Sequence, residues 1–433
     1  MNTMERIIKL SVLLLALMMS AAVTAEEVYD FNVDGIYYKI LENGNEVSVT
    51  YKTYSYYTHT EYFVNDYTGD VVIPATVTFN GKTFQVTEIG DHAFYQNGSV
   101  TSITIPSSIT VIKWDAFWYC TGLTRVNITD MVAWCNMTCK SNPLYYAHHL
   151  YLNGTEVTDL VIPEGVTAIR NEAFMLCTGL TSVTIGYDVT TIGDNAFEGC
   201  SGLTSVSIGN SVTSIGGVAF EGCTSLANLT LGNSLTTIRN HAFAGCTSLS
   251  SISIPNSVTN IGSAAFNGCT GLKSAIIGNS VTSIGGNAFY GCVGLTNIDI
   301  PNSVTEIGMY AFKGCTGLTG VCIGNSVTTI GKEAFMNAPA IATVTCKATT
   351  PPTWGDLSMF MANVYNHAPL HVPSDTERAY MADSGWGQFL TIIGDADEGN
   401  PGGDDDYLKC DVNGDGVVNI ADVNKVIDAI IRH

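Results

Sequence analysis

Charged residues are scarce in this chain of 433 residues, and positive charge is the scarcest. Asp, Glu, Lys and Arg make up 13% of the sequence, about half of the usual ~25%. The 39 acidic and 18 basic residues give a formal charge of −21, which argues against a nucleic-acid or anionic-membrane partner. The sequence also lacks a G-x-S-x-G elbow, an H-E-x-x-H pair and a phosphate-binding loop. We therefore expect no enzymatic activity.

Apolar runs are scarce as well. Arg6 and Lys9 precede one run, Leu10 to Met19, and small residues follow it up to Ala25. A run of ten residues, nine of them apolar, is too short to span a bilayer, and the pattern is that of a signal peptide cleaved after Ala25. We find no second apolar span in the remaining sequence. The expected location is extracellular, either secreted or on the cell surface.

What the chain has in abundance is one sequence motif that recurs every 23 residues, clearest from Leu203 to Thr224. Its phenylalanine recurs ten times, at Phe94, Phe117, Phe174, Phe197, Phe220, Phe243, Phe266, Phe289, Phe312 and Phe335. Every step is 23 residues except the one from Phe117 to Phe174, which carries 34 more. A repeat of this length predicts a solenoid whose coils bury their apolar faces against each other. We expect a mostly β solenoid of about ten coils, capped at both ends, with a small calcium-binding loop-helix motif at the C-terminus.

Thirteen cysteines are present, and most occupy one repeat position three residues after the phenylalanine. They are Cys120, Cys177, Cys200, Cys223, Cys246, Cys269, Cys292 and Cys315. Stacked coils place equivalent residues about 4.8 Å apart, slightly beyond the ~3.5–4.5 Å between the Cβ atoms of a disulfide. A row of buried thiols is favoured over disulfide bridges. The state of Cys135, Cys139, Cys322, Cys346 and Cys410 stays open.

Composition and pattern divide the chain into six segments. They are a signal peptide at 1–25, an N-terminal β cap at 26–85, the solenoid at 86–350 with an insertion at about 129–162, a C-terminal cap at 351–394, an acidic linker at 395–406 and a calcium-binding motif at 407–433. The cap strands alternate apolar and aromatic residues between turn signals. Residues 375–384 of the second cap have a helix-like pattern.

The repeat L-x-x-V-x-I-G-x-S-V-T-x-I-G-x-x-A-F-x-G-C resembles the BspA-like leucine-rich repeats of bacterial surface proteins. The resemblance covers residues 86 to about 350. It implies a secreted or surface protein, and several members of that family are adhesins that bind host matrix proteins or other cells. A fold of this kind supports many ligands, so the ligand does not follow from the repeat.

The C-terminal segment contains a calcium-loop pattern. Its expected ligands are Asp411, Asn413, Asp415, Val417 through its carbonyl group, Asn419 and Asp422. An apolar stripe of helical spacing follows, from Val423 to Ile431. Loop and helix together resemble one half of a type I dockerin, which implies calcium as a cofactor and a cohesin-like partner. Dockerins carry two such repeats and this chain has one, so it would need calcium, its own solenoid or a second copy to fold.

Candidate binding residues lie in the insertion and on the outward strand positions. Exposed aromatic side chains make good contact anchors, and the insertion supplies Trp134, Tyr145, Tyr146 and Tyr151. The alternative is that these residues form the buried base of the insertion. Cys135 and Cys139 with His148 and His149 also match a possible zinc set. On the strands, the repeated Ser and Thr give way to Ile276 and Asp299, where we expect specificity.

Two hypotheses on function follow. The first is an adhesin or interaction scaffold that binds a host or microbial macromolecule through the repeats, with the tail as a calcium-dependent docking device. The alternative is an accessory subunit of a polysaccharide-degrading assembly, in which the repeats bind carbohydrate or act as a spacer. Carbohydrate binders present coplanar exposed aromatic rings, and the repeat strands are nearly free of them, which favours a protein partner. A purely structural role in the envelope also fits.

Overall fold

A computed structural model describes residues 26–57, 60–355 and 359–395. The predicted signal peptide, most of the linker and the calcium motif lie outside these residues. The described part is mostly β, with few helices, and forms a solenoid of about 13 turns. No helix among the described residues has the length and apolar character needed to cross a bilayer.

The N-terminal cap contains nine strands. They are β1 Glu26–Glu27, β2 Phe31–Val33, β3 Ile36–Ile40, β4 Glu46–Thr50, β5 Thr53–Tyr57, β6 Thr60–Val64, β7 Gly69–Val72, β8 Thr76–Phe79 and β9 Lys82–Ile89. Strands β1, β5 and β6 form a separate antiparallel sheet, whereas β2, β3 and β4 pair antiparallel beside β9. The predicted end of the cap at residue 85 falls inside β9. One half of β9 forms a hairpin with β8, and the other half pairs with the first coil.

The next segment contains the first coils and the insertion. Its elements are β10 Val100–Ile105, β11 Val111–Ile112, β12 Arg125–Ile128, α1 Met131–Asn136, β13 Thr138–Cys139, α2 Leu144–Ala147, β14 Leu150–Leu152, β15 Thr155–Glu156, β16 Asp159–Val161 and β17 Ala168–Ile169. The insertion is not a protruding loop. Strand β13 pairs with β11 and β14 pairs with β12, both parallel, so most of the insertion is a further turn of the solenoid.

The regular coils contain a longer and a shorter strand each. They are β18 Ser182–Ile185, β19 Thr191–Ile192, β20 Ser205–Ile208, β21 Ser214–Ile215, β22 Asn228–Thr230, β23 Thr237–Ile238, β24 Ser251–Ser253, β25 Asn260–Ile261, β26 Ser274–Ile276, β27 Ser283–Ile284, β28 Asn297–Ile300, β29 Glu306–Ile307, β30 Gly320–Ile323, β31 Thr329–Ile330, β32 Thr343–Cys346 and β33 Thr353–Trp354. In the coil of β20 and β21, apolar and polar side chains alternate between the inside and the outside. Leu203, Val206 and Ile208 are buried, whereas Ser207 is exposed.

Each regular coil has a third side, which we call the arc. In the coil of β20 and β21 it comprises residues 216–223. The arc is built of turns, and the phenylalanine at its centre is fully buried. Consecutive rings from Phe174 to Phe335 stack with centroids 5.1–5.5 Å apart. Phe360 of the C-terminal cap continues this stack at 5.1 Å from Phe335, which the repeat spacing did not predict.

Threonine hydroxyl groups form hydrogen bonds between neighbouring coils, beside the short strands. Thr213 Oγ1 donates to the carbonyl oxygen of Thr190 at 3.2 Å, and Thr236 Oγ1 donates to that of Thr213 at 2.9 Å. The same bond recurs one coil later, from Thr259 to Thr236 at 3.3 Å. These bonds supplement the parallel backbone ladder of the short strands. The threonine at this position therefore bonds neighbouring coils to each other, so its repetition on the surface has a structural reason.

The C-terminal cap contains α3 Ala362–His367, β34 Leu370–Pro373, α4 Glu377–Ala382, the 3₁₀ helix η1 Trp386–Gln388 and β35 Ile392–Asp395. Helix α4 falls within the predicted helix at 375–384. Trp386 is fully buried beside Phe360 and donates through Nε1 to the carbonyl oxygen of Pro352 at 2.9 Å. Asp395 belongs to β35, so the cap extends to the first residue of the predicted linker.

The expected number of about ten coils is too low. The ten phenylalanines mark only the coils with a complete arc. The insertion strand β13 pairs parallel with the short strand β11, and the C-terminal strands β34 and β35 extend the parallel sheet of β32, without a repeat phenylalanine of their own. Backbone pairing therefore continues beyond the region in which the side chains repeat.

Candidate binding surface

The backbone of the arc determines which side chains face outward. Residues two before and two after the phenylalanine have positive φ, such as Val218 at 61° and Gly222 at 73°. The phenylalanine N–H between them bonds to the next coil, as from Phe220 to the carbonyl oxygen of Ala242 at 2.8 Å. Ring and backbone thus fix the arc from within. Side chains at the flanking positions are free to vary and form the outer surface.

The coil of β10 and β11 carries large aromatic residues at these outer positions. Trp114, Trp118 and Tyr119 are 63%, 46% and 53% exposed. The rings of Trp118 and Tyr119 lie 5.5 Å apart at an interplanar angle of 89°. Lys140 of the insertion places its ammonium group 5.4 Å from the ring centre of Trp114, an attractive cation–π contact.

The insertion extends this surface. Tyr119 donates its backbone N–H to the hydroxyl oxygen of Tyr146 at 2.8 Å, and the Tyr146 ring lies 5.0 Å from the ring of Tyr145 at 69°. Tyr145 is 48% exposed and Tyr146 is half-buried. Partial burial raises the pKa of Tyr146 above its usual value. We call the set Trp114, Trp118, Tyr119, Tyr145 and Tyr146 the aromatic patch.

Aromatic side chains of the cap border the patch on the preceding coil. Phe63 stacks on His92 with 3.8 Å between ring centres and contacts Tyr95 at 5.2 Å. His92 also lies 3.9 Å from Asp115. Tyr95 occupies the arc position of its coil that corresponds to Trp118. The aromatic surface therefore extends over two consecutive coils and the insertion.

Trp134 was expected to belong to the binding residues, and this prediction is wrong. Its side chain is fully buried, its Nε1 donates to the carbonyl oxygen of Ala173 at 3.0 Å, and the guanidinium group of Arg170 lies 5.0 Å from the ring centre. Helix α1 begins after Asp130, which accepts a hydrogen bond from the Ala133 N–H at 2.7 Å. The helix directs Trp134 against the next coil. For this residue, the alternative of a buried base is correct.

Tyr151, Ile276 and Asp299 lie on another side of the solenoid, on the outward face of the long strands. Tyr151 pairs with Asn127 in the ladder, and the guanidinium group of Arg125 lies 3.9 Å from the Tyr151 ring centre. Ile276 and Asp299 are exposed at corresponding positions of β26 and β28. The binding residues expected from the sequence therefore lie on two different sides of the solenoid. Tyr145 and Tyr146 belong to the aromatic patch, and the other three face outward from the long strands.

The expected binding residues did not include Trp114, Trp118 and Tyr119. They were chosen from departures from the repeat on the strands and in the insertion, whereas these three residues depart from it in the arc. Their signal was present at the arc positions. Where other coils have Asp194, Glu198 and Gly199, this coil has two tryptophans and a tyrosine. Aligning the repeats on the phenylalanine would have found this cluster.

The zinc set of the insertion is not brought together. His148 Nδ1 lies 3.3 Å from the carbonyl oxygen of Leu176, and His149 Nδ1 lies 2.6 Å from Glu156 Oε1. Among the described residues, no cluster of three or more His, Cys, Asp or Glu side chains has the arrangement of a metal site. The expected calcium ligands, from Asp411 to Asp422, lie outside the described residues.

The repeat cysteines are free, buried thiols that bond to the previous coil. Cys223 Sγ donates to the carbonyl oxygen of Phe197 at 3.2 Å, and Cys246 Sγ donates to that of Phe220 at 3.3 Å. Burial raises the pKa of the Cys177 and Cys269 thiols from 9.0 to about 12. Neutral thiols of this kind are unreactive. Cys135 and Cys346 are also free and buried, Cys139 is free and partly buried, and Cys322 is partly buried.

Comparison with protein families identifies the repeats. The model described as BspA type Leucine rich repeat region (6 copies) matches residues 73–142, 147–261 and 236–351. The chain belongs to the BspA-type leucine-rich repeat family. Members of the BspA-type family are typically extracellular or cell-surface proteins that bind other molecules, and they are typically not enzymes.

The chain is also similar to solved structures. A leucine-rich repeat protein from Bacteroides ovatus is 25% identical, with 85% of this chain and 100% of that chain covered and a TM-score of 0.50. A leucine rich cell surface protein from Faecalibacterium prausnitzii is 27% identical, with 76% and 96% covered and a TM-score of 0.45. The pneumococcal vaccine antigen PcpA is 17% identical, with 86% and 99% covered and a TM-score of 0.46. The search of curated proteins found no match.

Proposed function

We propose that this BspA-type protein is an exported, non-catalytic adhesin or interaction scaffold that binds a protein partner through the aromatic patch. The observation that carries the proposal is the contiguous exposure of Trp118, Tyr119 and Tyr145. Exposed tryptophan and tyrosine rings dominate the binding energy of many protein interfaces. Each ring buries a large apolar area when a partner covers it. Binding is therefore favoured over leaving the rings exposed to water.

The angles between the rings favour a protein over a glycan. Sugars stack on flat aromatic platforms, which need neighbouring rings in nearly parallel planes. Trp118 and Tyr119 are at 89° and Tyr145 and Tyr146 at 69°, so neither pair offers two parallel rings on which a sugar could stack. Rings at these angles present both faces and edges to the side chains of a protein partner. The outward positions of the regular long strands carry mostly Ser and Thr and offer no stacking platform.

Surface plasmon resonance with immobilised host matrix proteins, mucin and polysaccharides tests this proposal. We expect the chain to bind at least one protein of the panel, and the double variant Trp118→Ser/Tyr119→Ser to lose at least tenfold in affinity. Hot-spot residues of this type contribute about 2 kcal/mol or more each. The control is Tyr187→Ser, because Tyr187 is 77% exposed in the turn after β18. Binding to polysaccharide alone, or equal binding by both variants, would contradict the proposal.

For the C-terminal segment we propose calcium binding by Asp411, Asn413, Asp415, Val417, Asn419 and Asp422. The support is the ligand spacing in the sequence. Isothermal titration of the full chain with calcium should show one site, and Asp411→Ala/Asp415→Ala should abolish it. The control is Asp404→Ala/Asp405→Ala in the neighbouring acidic segment. Loss of the calcium heat in the control variant, with the heat of the loop variant unchanged, would show that the acidic linker, rather than the loop, binds calcium.

The tail also carries the alternative function, an accessory subunit of a polysaccharide-degrading assembly with a cohesin-like partner. Its support is the resemblance of the loop and helix to half a dockerin. A pull-down from the envelope and secreted fraction, with calcium and with chelator, separates the two functions. Capture that is lost in Asp411→Ala/Asp415→Ala assigns docking to the tail, whereas capture that is lost in Trp118→Ser/Tyr119→Ser assigns it to the aromatic patch.

A further inference from the structure

The first strand of the long-strand ladder has an open edge. Strand β7 pairs with β10 on one side and has no strand partner on its other side among the described residues. Gly69 N–H donates to the carbonyl oxygen of Ser99 at 2.8 Å, and Ile73 N–H donates to that of Thr104 at 3.1 Å. Because N–H directions alternate along a strand, the N–H groups of Asp70 and Val72 point away from β10. They are the groups that a further strand would bond.

A groove of about 720 Å³ runs beside this edge. One wall is β7 with Thr68 and Pro74, and the other consists of the turn between β2 and β3 together with β8. Val71 and Val77 are buried in the wall, and Val72 is 63% exposed. The groove thus combines an unpaired strand edge with apolar side chains, which are the elements of peptide recognition by strand addition.

The charge of the groove selects among possible occupants. Asp34, Asp66 and Asp70 line it, and no lysine or arginine is among its lining residues. Lys52 lies 2.5 Å from Asp66 and offsets one of the three carboxylates. Thr101 and Ser102 donate hydrogen bonds to Asp70 without changing its charge. A ligand with positive side chains would be complementary to the groove.

A second copy of this chain is a poor occupant. Head-to-tail stacking would place β35 against β7 and continue the ladder. The β35 end carries Asp395 and Glu377 beside its strand, so acidic groups would face the acidic groove. The chain as a whole has a formal charge of −21, and its acidic segment at 395–406 is repelled for the same reason.

We propose that the groove binds an extended, basic peptide segment of another protein, which pairs with the free edge of β7. This site is separate from the aromatic patch, and the proposal does not depend on it. Backbone bonds to Asp70 and Val72 would supply strand pairing, and lysine or arginine side chains of the peptide would face Asp34 and Asp70. The ligand is defined by its charge and its extended form.

Fluorescence anisotropy with labelled decapeptides tests the proposal on the full chain. The probe alternates Lys and Thr. A second peptide has the same sequence with N-methyl groups on alternate residues, and a third alternates Glu and Thr. We expect binding of the first peptide, at least tenfold weaker binding of the second and no binding of the third. Equal binding of the first two would show attraction by charge alone and overturn the proposal, as would no binding of the first.

A protein variant locates the site. Val72→Pro removes the N–H that points into the groove and leaves the ladder with β10 in place, and proline is tolerated at such edges. We expect it to weaken binding of the Lys-Thr peptide at least tenfold, whereas Val72→Thr should bind as the unchanged chain does. Hydrogen exchange provides a second readout, because bound peptide should slow exchange within residues 69–73. Unchanged exchange there would contradict strand addition, even if the proline variant proved unstable.

Discussion

The coils from Phe174 to Phe335 and the first coils with their insertion have the same parallel strand pairing, in separate sheets, but use their arcs differently. In the former, the position of Trp118 holds small or polar residues in most coils, such as Glu198, Glu221 and Asn267, and the stacked rings run without interruption. In the latter, the stack is only Phe94 on Phe117, and large aromatic side chains face the solvent. A repeat that is uniform inside can therefore concentrate its specificity at one end.

The interior of the regular coils should respond to alkaline pH. Burial raises the pKa of Cys177, Cys269 and Cys315 from 9.0 to about 12 and holds that of Cys223 and Cys246 well above 9.0. Thiols with a raised pKa stabilise the folded chain. This contribution to the free energy of unfolding is fully present below pH 9 and is lost as pH rises from about 9 to about 12. Each buried thiol lowers the free energy of unfolding by up to about 1.4 kcal/mol per pH unit in that window, so the row of thiols gives the largest expected effect.

Urea unfolding followed by circular dichroism, with reductant at pH 8 and pH 11, measures this loss. Tyrosines and lysines also titrate at high pH, so the control is the triple variant Cys223→Ala/Cys246→Ala/Cys269→Ala. Its stability should fall less between the two pH values than that of the unchanged chain. The same fall in both proteins would show that the buried thiols do not set the alkaline limit.

The ring stack gives the next largest effect. Phe266 has stacked rings on both sides, at 5.5 and 5.2 Å, whereas Phe117 has one, at 5.0 Å. Phe266→Ala should lower the free energy of unfolding by about 3–5 kcal/mol. Phe117→Ala should cost about 1 kcal/mol less, since it loses one aromatic pair and not two. Urea titration compares them, with Asn267→Ala as a control for the same coil. Equal losses at the two phenylalanines would mean that ring stacking adds nothing beyond burial.

Two tryptophans of the N-terminal region separate folding from binding. Trp134→Phe keeps an apolar ring but leaves the Ala173 carbonyl group without its indole donor, at a cost of about 1–3 kcal/mol. Trp118→Phe changes an exposed side chain and should leave the free energy of unfolding within about 0.5 kcal/mol. Thermal unfolding of both variants gives the comparison. A large loss for Trp118→Phe would mean that the patch belongs to the core of its coil.

Periodicity predicted the fold where each side chain has an equivalent in the next coil, as for Val206, Ile215 and Phe220. It failed where backbone pairing continues without the repeat, as at β13 and β34, because hydrogen bonds between strands need no particular side chain. The fate of Trp134 depended on the short helix α1, which the repeat pattern does not contain. Tyr145 and Tyr151 are close in sequence and still reach different faces, since α2 ends and β14 begins between them.

The smallest expected effect concerns the backbone of the arc. Val218 has a φ of 61°, a conformation that is strained for a β-branched residue, whereas Asn287 occupies the corresponding position of a later coil at 58°. Val218→Asn should raise the free energy of unfolding by about 1 kcal/mol, because asparagine tolerates this conformation better. Asn287→Val should lower it by a similar amount, which makes the two variants controls for each other in urea titrations. Opposite shifts of equal size would show that the arc has one backbone requirement along the whole solenoid and that its side chains vary within it. If Val218→Asn destabilises the chain, the contacts of the half-buried valine outweigh its backbone strain.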